Sequence, residues 1–384
     1  MVTLITASEV RSQTSRAEQI AAQQEEKSKH LEPEQGSKAE KVTVRILSTP
    51  LLAGSGGLYP WFGSAFPGSG FGVGAGYLHR LPHRGSLSAT GGASINGSLM
   101  LDGDARIPVP PRSRLRPRVN VHWVDAKEVS FYGIGSRTVR EEKVPFDYSP
   151  TTVQGMLDVD VLRWLTLSGN VGYMDMSTSV GLLELLRPTT GTFVGLGESI
   201  QFLTTGVAVM ADSRTSPGYS VRGGFARVSW DRYGARDQAP YTFSNTEFEA
   251  AHLFPLLSDQ YVFAVRVLTT TTNTDAGDGV PSVLLPYLGS GNTLRGFPNR
   301  RFQDRSRALA TVEYRWRPSR YLDMALFVDT GTVASRLKDI SDGRVSTDWG
   351  IGARFHGPAF TAFRIEAAHG NEGWNIVFAS GQPF

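Results

Sequence analysis

From about residue 43 to the end of the chain, apolar and polar residues alternate with a period of two, and no stretch shows the spacing of an amphipathic helix. Between residues 321 and 329, Leu322, Met324, Leu326 and Val328 fall on one face and Tyr321, Asp323, Ala325, Phe327 and Asp329 on the other. Just upstream, Val312, Tyr314 and Trp316 oppose Thr311, Glu313 and Arg315. The same pattern predicts strands near 70–80, 85–96, 98–107, 115–126, 149–161, 164–176, 202–212, 219–232, 241–253 and 258–272. Five more follow near 306–317, 320–331, 347–356, 359–368 and 373–380, and 51–64, with Leu58, Tyr59, Trp61 and Phe62, completes an even set of sixteen. Most of these runs are about 10–13 residues, the length that crosses a bilayer at a tilt.

The connections alternate between tight and long. Short turns fall around Leu81 to Arg84, Arg163-Trp164, Phe254 to Leu257, Pro318-Ser319 and Gly357-Pro358, whereas longer loops occupy about 127–148, 177–201, 273–305 and 332–346. A closed sheet in lipid needs all its backbone paired, with short turns at one end and longer loops at the other. Aromatics such as Trp123, Tyr173, Trp230, Tyr261, Trp316, Tyr321 and Trp374 gather near strand ends, as interfacial girdles do. The fold read from this pattern is all-β, a transmembrane antiparallel β-barrel of sixteen strands.

Composition changes the picture only in places. No run approaches the roughly 18 consecutive apolar residues of a transmembrane helix, and 40% hydrophobic residues suits a barrel in which alternate positions meet lipid. The chain has no cysteine, which excludes disulfides, thiolate metal sites and cysteine nucleophiles. A net charge of +3 over 384 residues gives no reason to expect nucleic acid. Residues 1–42 are polar and charged and read as a disordered leader ahead of a barrel spanning 43–384; the apolar run Val2 to Ala7 is shorter than a signal-peptide core.

Candidate chemistry is sparse. Gly72-Val73-Gly74-Ala75-Gly76 looks like part of a dinucleotide fingerprint, but no helix follows and the glycines share one strand face. His30, His79, His83, His122, His252, His356 and His369 lack the close pairing of a metal motif, and no Gly-x-Ser-x-Gly elbow occurs. The reading is therefore a non-enzyme without metal or cofactor. What remains is a Gly-rich loop carrying Arg295, with two acids, Glu313 and Asp329, facing away from the apolar rows of the next two strands.

The loop Gly289-Ser290-Gly291-Asn292-Thr293-Leu294-Arg295-Gly296-Phe297, then Glu313, then Phe327-Val328-Asp329-Thr330-Gly331, resembles the C-terminal barrel of the BamA/TamA superfamily, the bacterial surface antigen domain. Asp212-Ser213-Arg214 with Pro217-Gly218, Arg222-Gly223-Gly224-Phe225 and Phe384 extend the likeness from roughly residue 60 onward. The resemblance implies sixteen strands with the Arg-Gly-Phe loop folded inward between strands eleven and twelve, and a latch formed by Arg295, Gly296 and Phe297 with Asp329 and Glu313. If Pro318-Ser319 is the turn, position 313 lies opposite about 324, and Asp329 is roughly 17 Å farther along. Asp329 then ranks above Glu313 as the direct partner, and an exchange of charges between 295 and 329 is expected to restore folding in part. The row Trp374, Ile376 and Phe378 with Phe384 supplies the C-terminal insertion signal.

The resemblance also implies a monomer in the bacterial outer membrane, among its lipids and lipopolysaccharide, that assembles or inserts other outer-membrane proteins or translocates protein. Unfolded clients and periplasmic chaperones are the implied partners. Related proteins carry periplasmic POTRA domains ahead of the barrel, and residues 1–42 are too short and polar to form one, so a POTRA-less member is expected. A passive pore, or a structural surface antigen, is the alternative reading.

Overall fold

The computed structural model describes residues 56–384 except 84, 181–192, 217, 237 and 357–360, and the side chain of residue 362. The leader expected at 1–42 lies outside the described residues. The strands in chain order are β1 (Gly57–Gly63), β2 (Gly72–Arg80), β3 (Ser86–Ser94), β4 (Leu99–Arg106), β5 (Leu115–Phe131), β6 (Val144–Leu162), β7 (Leu165–Ser179), β8 (Ser199–Asp212) and β9 (Gly223–Ala235). They continue with β10 (Phe243–Leu256), β11 (Ser258–Thr274), β12 (Tyr287–Leu288), β13 (Phe302–Gln303), β14 (Ser306–Ser319), β15 (Leu322–Ala334), β16 (Ser346–His356), β17 (Thr361–Gly370) and β18 (Gly373–Ala379). Every strand read from the alternation is present, with ends shifted by a few residues.

Sixteen strands form one antiparallel sheet in the order β1 to β11 and then β14 to β18. It is a nearly closed barrel. Among the described residues no ladder joins β1 to β18, and Phe71, in the β1–β2 connection, meets Phe378 of β18 edge-on with ring centroids 6.0 Å apart. β12 and β13 pair with each other inside the connection between β11 and β14 and were not foreshadowed by the alternation.

The pleat sorts side chains as the sequence pattern requires. Leu326 and Val328 are 48% and 45% exposed, while Phe327 and Asp329 between them are buried, and Trp349, Ile351 and Ile365 continue the exposed apolar row. An apolar exterior is what a barrel in lipid presents. The glycines of β2 lie on the opposite face in close contact: a Cβ on Gly76 would sit 2.3 Å from the Tyr59 ring of β1, and one on Gly74 2.0 Å from the Gly91 carbonyl oxygen of β3. Close approach, not phosphate binding, accounts for that glycine run.

One expectation about register is corrected. The β14–β15 turn is Arg320-Tyr321, not Pro318-Ser319: Ser319 pairs with Leu322, and a register shift falls between Trp316 and Ser319. The hairpin thus extends by two residues, and the strand bulges at Pro318, which has no N–H to give a ladder. Glu313 therefore faces Phe327 rather than residue 324, and Asp329 pairs with Thr311, two positions from Glu313.

Candidate functional site

The long connection 275–305 is held by apolar packing. Val280, Val283 and Leu285 join a buried cluster with Phe131, Phe146, Phe202 and Phe243. Farther along, Leu288, Leu294, Phe297 and Phe302 pack with Leu268, Leu309 and Val333 of β11, β14 and β15. Phe297 and Phe302 meet edge to face at 5.3 Å. Each fully buried Leu or Phe adds about 1.5–3 kcal/mol, so this anchorage places the charged residue between them with little freedom.

That residue is Arg295, 1% exposed. Its Nε donates to Asp329 Oδ2 at 2.7 Å and its Nη2 to Asp329 Oδ1 at 2.9 Å, the two-point geometry that makes arginine–carboxylate pairs strong. Its Nη1 donates to Glu313 Oε1 at 2.7 Å and to Glu366 Oε1 at 3.3 Å, and the guanidinium carbon lies 3.4 Å from the Phe327 ring centroid. Thr311 Oγ1 also donates to Asp329, at 2.8 Å. Burial by itself lowers the Arg295 pKa, but Asp329, Glu366 and Glu313 together hold it well above the usual guanidinium value.

Asp329 is the two-point partner, as expected, and the observed register lets the same guanidinium reach Glu313 as well. Two residues of strand rise separate Glu313 from the Asp329 register position, roughly 7 Å rather than 17 Å, and Arg295 spans both. Four further residues of the site were not singled out in the sequence. Arg354 Nη2 donates to Glu313 at 2.8 Å and to Glu366 at 2.7 Å, Arg364 Nη1 donates to Glu366 at 2.6 Å, and Arg315 Nε donates to Glu313 at 2.7 Å. Four guanidinium groups thus share three carboxylates, with Asp348 buried opposite Asp329 in register. The signal for Arg354, Arg364 and Glu366 was available: each alternates with exposed or half-exposed apolar neighbours on β16 or β17 and so faces inward.

Glycine in the loop answers to contact. A Cβ on Gly296 would lie 2.5 Å from Asp348 Cβ and 2.8 Å from the Gly370 nitrogen. Gly289 has a φ of +95° and would set a Cβ 2.2 Å from the Pro298 carbonyl oxygen. Gly296→Ala is expected to lift the loop off β16 and cost about 1–3 kcal/mol, read as a lower temperature for loss of the compact, heat-sensitive gel band. An unchanged transition would mean that the loop is not seated on Asp348.

The remaining expected site residues separate into two places. Trp374, Ile376 and Phe378 are exposed on the outer face of β18. Phe384 does not continue that row: its ring lies 4.8 Å from the Arg315 guanidinium and 5.6 Å from that of Arg266, beside the apolar group Leu253, Val262 and Ala264. Residues after Ala379 leave the strand, so the alternation that fixes Phe378 no longer governs Phe384. At the short-turn end, Arg214 bonds Asp212 at 2.9 Å and covers the Phe225 ring at 4.1 Å, joining the two segments that flank that turn. Among the described residues no group of three or more potential metal-binding side chains occurs.

Comparison with known proteins places this architecture. Residues 189–379 match the Omp85 superfamily domain. The fold is similar to BamA from Haemophilus ducreyi lacking POTRA domains 1-3, with a TM-score of 0.63 and 16% identity over 85% of this chain and 69% of that one. CdiB from Escherichia coli is similar at a TM-score of 0.60 and 13% identity, covering 85% of this chain and 62% of that one. CdiB from Acinetobacter baumannii follows at 0.52 and 14%, covering 84% of this chain and 58% of that one. No curated protein sequence matches the chain.

Proposed function

Because this chain belongs to the Omp85 superfamily, we propose that it is a bacterial outer-membrane barrel that assists the insertion or translocation of other proteins without covalent chemistry. The observation that carries this reading is the seam. β1 and β18 are adjacent, among the described residues each is laddered on one side only, and such edges can template an incoming strand by β-augmentation. Both are seven residues long, against 17, 19 and 17 for β5, β6 and β11. Seven residues rise only about 24 Å before tilt, less than a hydrocarbon core of about 30 Å, so lipid beside the seam must thin. A cavity of about 750 Å³ lies behind it, bounded by Trp61 and Gly63 on one edge and Val377 and Ala379 on the other.

In this reading the arginine latch fixes the 275–305 connection against β14–β17 and keeps that wall rigid while the seam yields. Outer-membrane lipids and lipopolysaccharide surround the barrel, and unfolded outer-membrane proteins with their periplasmic chaperones are the proposed partners. The cavity also favours a second reading, a passive pore plugged by the same connection. Reconstitution in liposomes separates them: the barrel should accelerate folding of an unfolded outer-membrane protein over protein-free liposomes. Conductance without acceleration would replace the proposal by the pore, and neither activity would leave a structural surface antigen.

A further inference from the structure

The loop that carries Arg295 also reaches both sides of the seam. Toward the first hairpin, Asn299 Nδ2 donates to the Pro67 carbonyl at 2.6 Å, and Gly68 presses against Asn299 so closely that a Cβ there would lie 2.8 Å from Asn299 Cβ. Toward the last hairpin, Arg301 Nε donates to both Glu372 carboxylate oxygens, at 2.8 and 2.9 Å. The Arg301 guanidinium is itself held by the hydroxyl and carbonyl of Thr138, each at 2.8 Å, and Arg140 donates to the Glu372 carbonyl at 2.7 Å. On β18, Asn375 Nδ2 donates to the carbonyls of Arg295 at 2.8 Å and Phe297 at 3.3 Å. Pro67 belongs to the β1–β2 connection and Glu372 to the β17–β18 connection, so the partners are the two free edges of the sheet.

From this placement we infer that the segment Arg295–Arg301 is a clasp across the seam: Asn299 grips the first hairpin, Arg301 and Asn375 tie the last, and together they set the separation of β1 from β18. The reasoning is mechanical. A ladder would fix that separation at about 5 Å through cooperative backbone bonds, and among the described residues the sheet has none there. The fixed point is the loop, which the buried arginine network holds against β14–β17. Side-chain bonds to a rigid body can position an edge strand while remaining individually breakable, at about 0.5–1.5 kcal/mol for a neutral bond and somewhat more for the partly buried Arg301–Glu372 pair. The clasp residues are Asn299, Arg301, Glu372 and Asn375, distinct from the network that seats the loop.

The absence of cysteine allows a direct measurement. Spin labels placed through Leu58→Cys and Ile376→Cys would report the seam from the outer face, where these residues are 79% and 61% exposed. The parent barrel should give one narrow distance distribution. Asn299→Ala combined with Glu372→Gln should broaden it and lengthen its mean by about one strand spacing, roughly 5 Å. Breaking the exposed ion pair Arg336–Asp339 with Arg336→Ala should leave it unchanged. An unaltered distribution in the double variant, with the compact gel band retained, would overturn the clasp. Should the double variant fail to fold, Asn299→Ala alone decides, since it removes one bond at a half-buried loop position; no broadening there would equally refute the inference. No client protein enters the measurement, so its outcome is independent of whether the barrel inserts or translocates anything.

Discussion

Glu313→Ala is expected to destabilise the barrel by about 3–5 kcal/mol, the range for removing one partner from a buried ion pair. Glu313 is completely buried and accepts hydrogen bonds from three arginines: Arg295, Arg315 and Arg354. Without it Arg315 loses its ion-pair partner and Arg354 loses one of its two, so Arg354 depends on Glu366, for which Arg364 and Arg295 compete, while Arg295 keeps Asp329. Uncompensated positive charge then sits where water is excluded, and the cost is desolvation together with mutual repulsion. The temperature at which the compact gel band disappears should fall markedly, and Glu313→Gln should lie between the two because its carbonyl oxygen still accepts a bond. A transition within a degree or two of the parent would mean that the four arginines do not depend on this carboxylate.

Arg295→Ala should have a comparable effect with a different signature. Here the deficit is negative: Asp329 keeps the Thr311 hydroxyl but loses both of its arginine bonds, and Asp348 lies directly across from it. About 3–5 kcal/mol is again expected, together with release of the loop, visible as protease cleavage within 289–301. The structure also reverses the expectation for a charge exchange. With Arg295→Asp and Asp329→Arg combined, the new aspartate would face Glu313 and Glu366, so the double variant should be no more stable than Arg295→Ala. Recovery of the parent transition by the exchange would show that Arg295 and Asp329 act as an isolated pair and would contradict the network.

Much of the fold was legible in the chain because one physical rule operates over most of its length. A strand between lipid and a polar interior must alternate, so the rows Leu322 to Val328 and Val312 to Trp316 disclosed both the strands and the side on which Glu313 and Asp329 lie. The Arg295 loop was recognisable for another reason: its glycines answer to backbone contact that any larger residue would spoil, so composition there is constrained locally.

What the alternation could not supply was distance. The turn at Arg320-Tyr321, two residues later than expected, moved the register of β14 on β15 and brought Glu313 and Asp329 within reach of one guanidinium. Arg354, Arg364 and Glu366 lie about 60 to 70 residues beyond Arg295, and only the curl of the sheet carries β16 and β17 back to it. The clasp to Pro67 and Glu372 was likewise beyond the sequence, since it joins residues more than 200 and some 70 positions away. The sequence by itself determined the all-β class, the strand set, the face of each residue and the arginine loop, since alternation and turn chemistry act between near neighbours. The tertiary structure alone decided which charges share a site, where Phe384 goes and how the seam is held, because those depend on register and on how the sheet curls, to which every strand contributes.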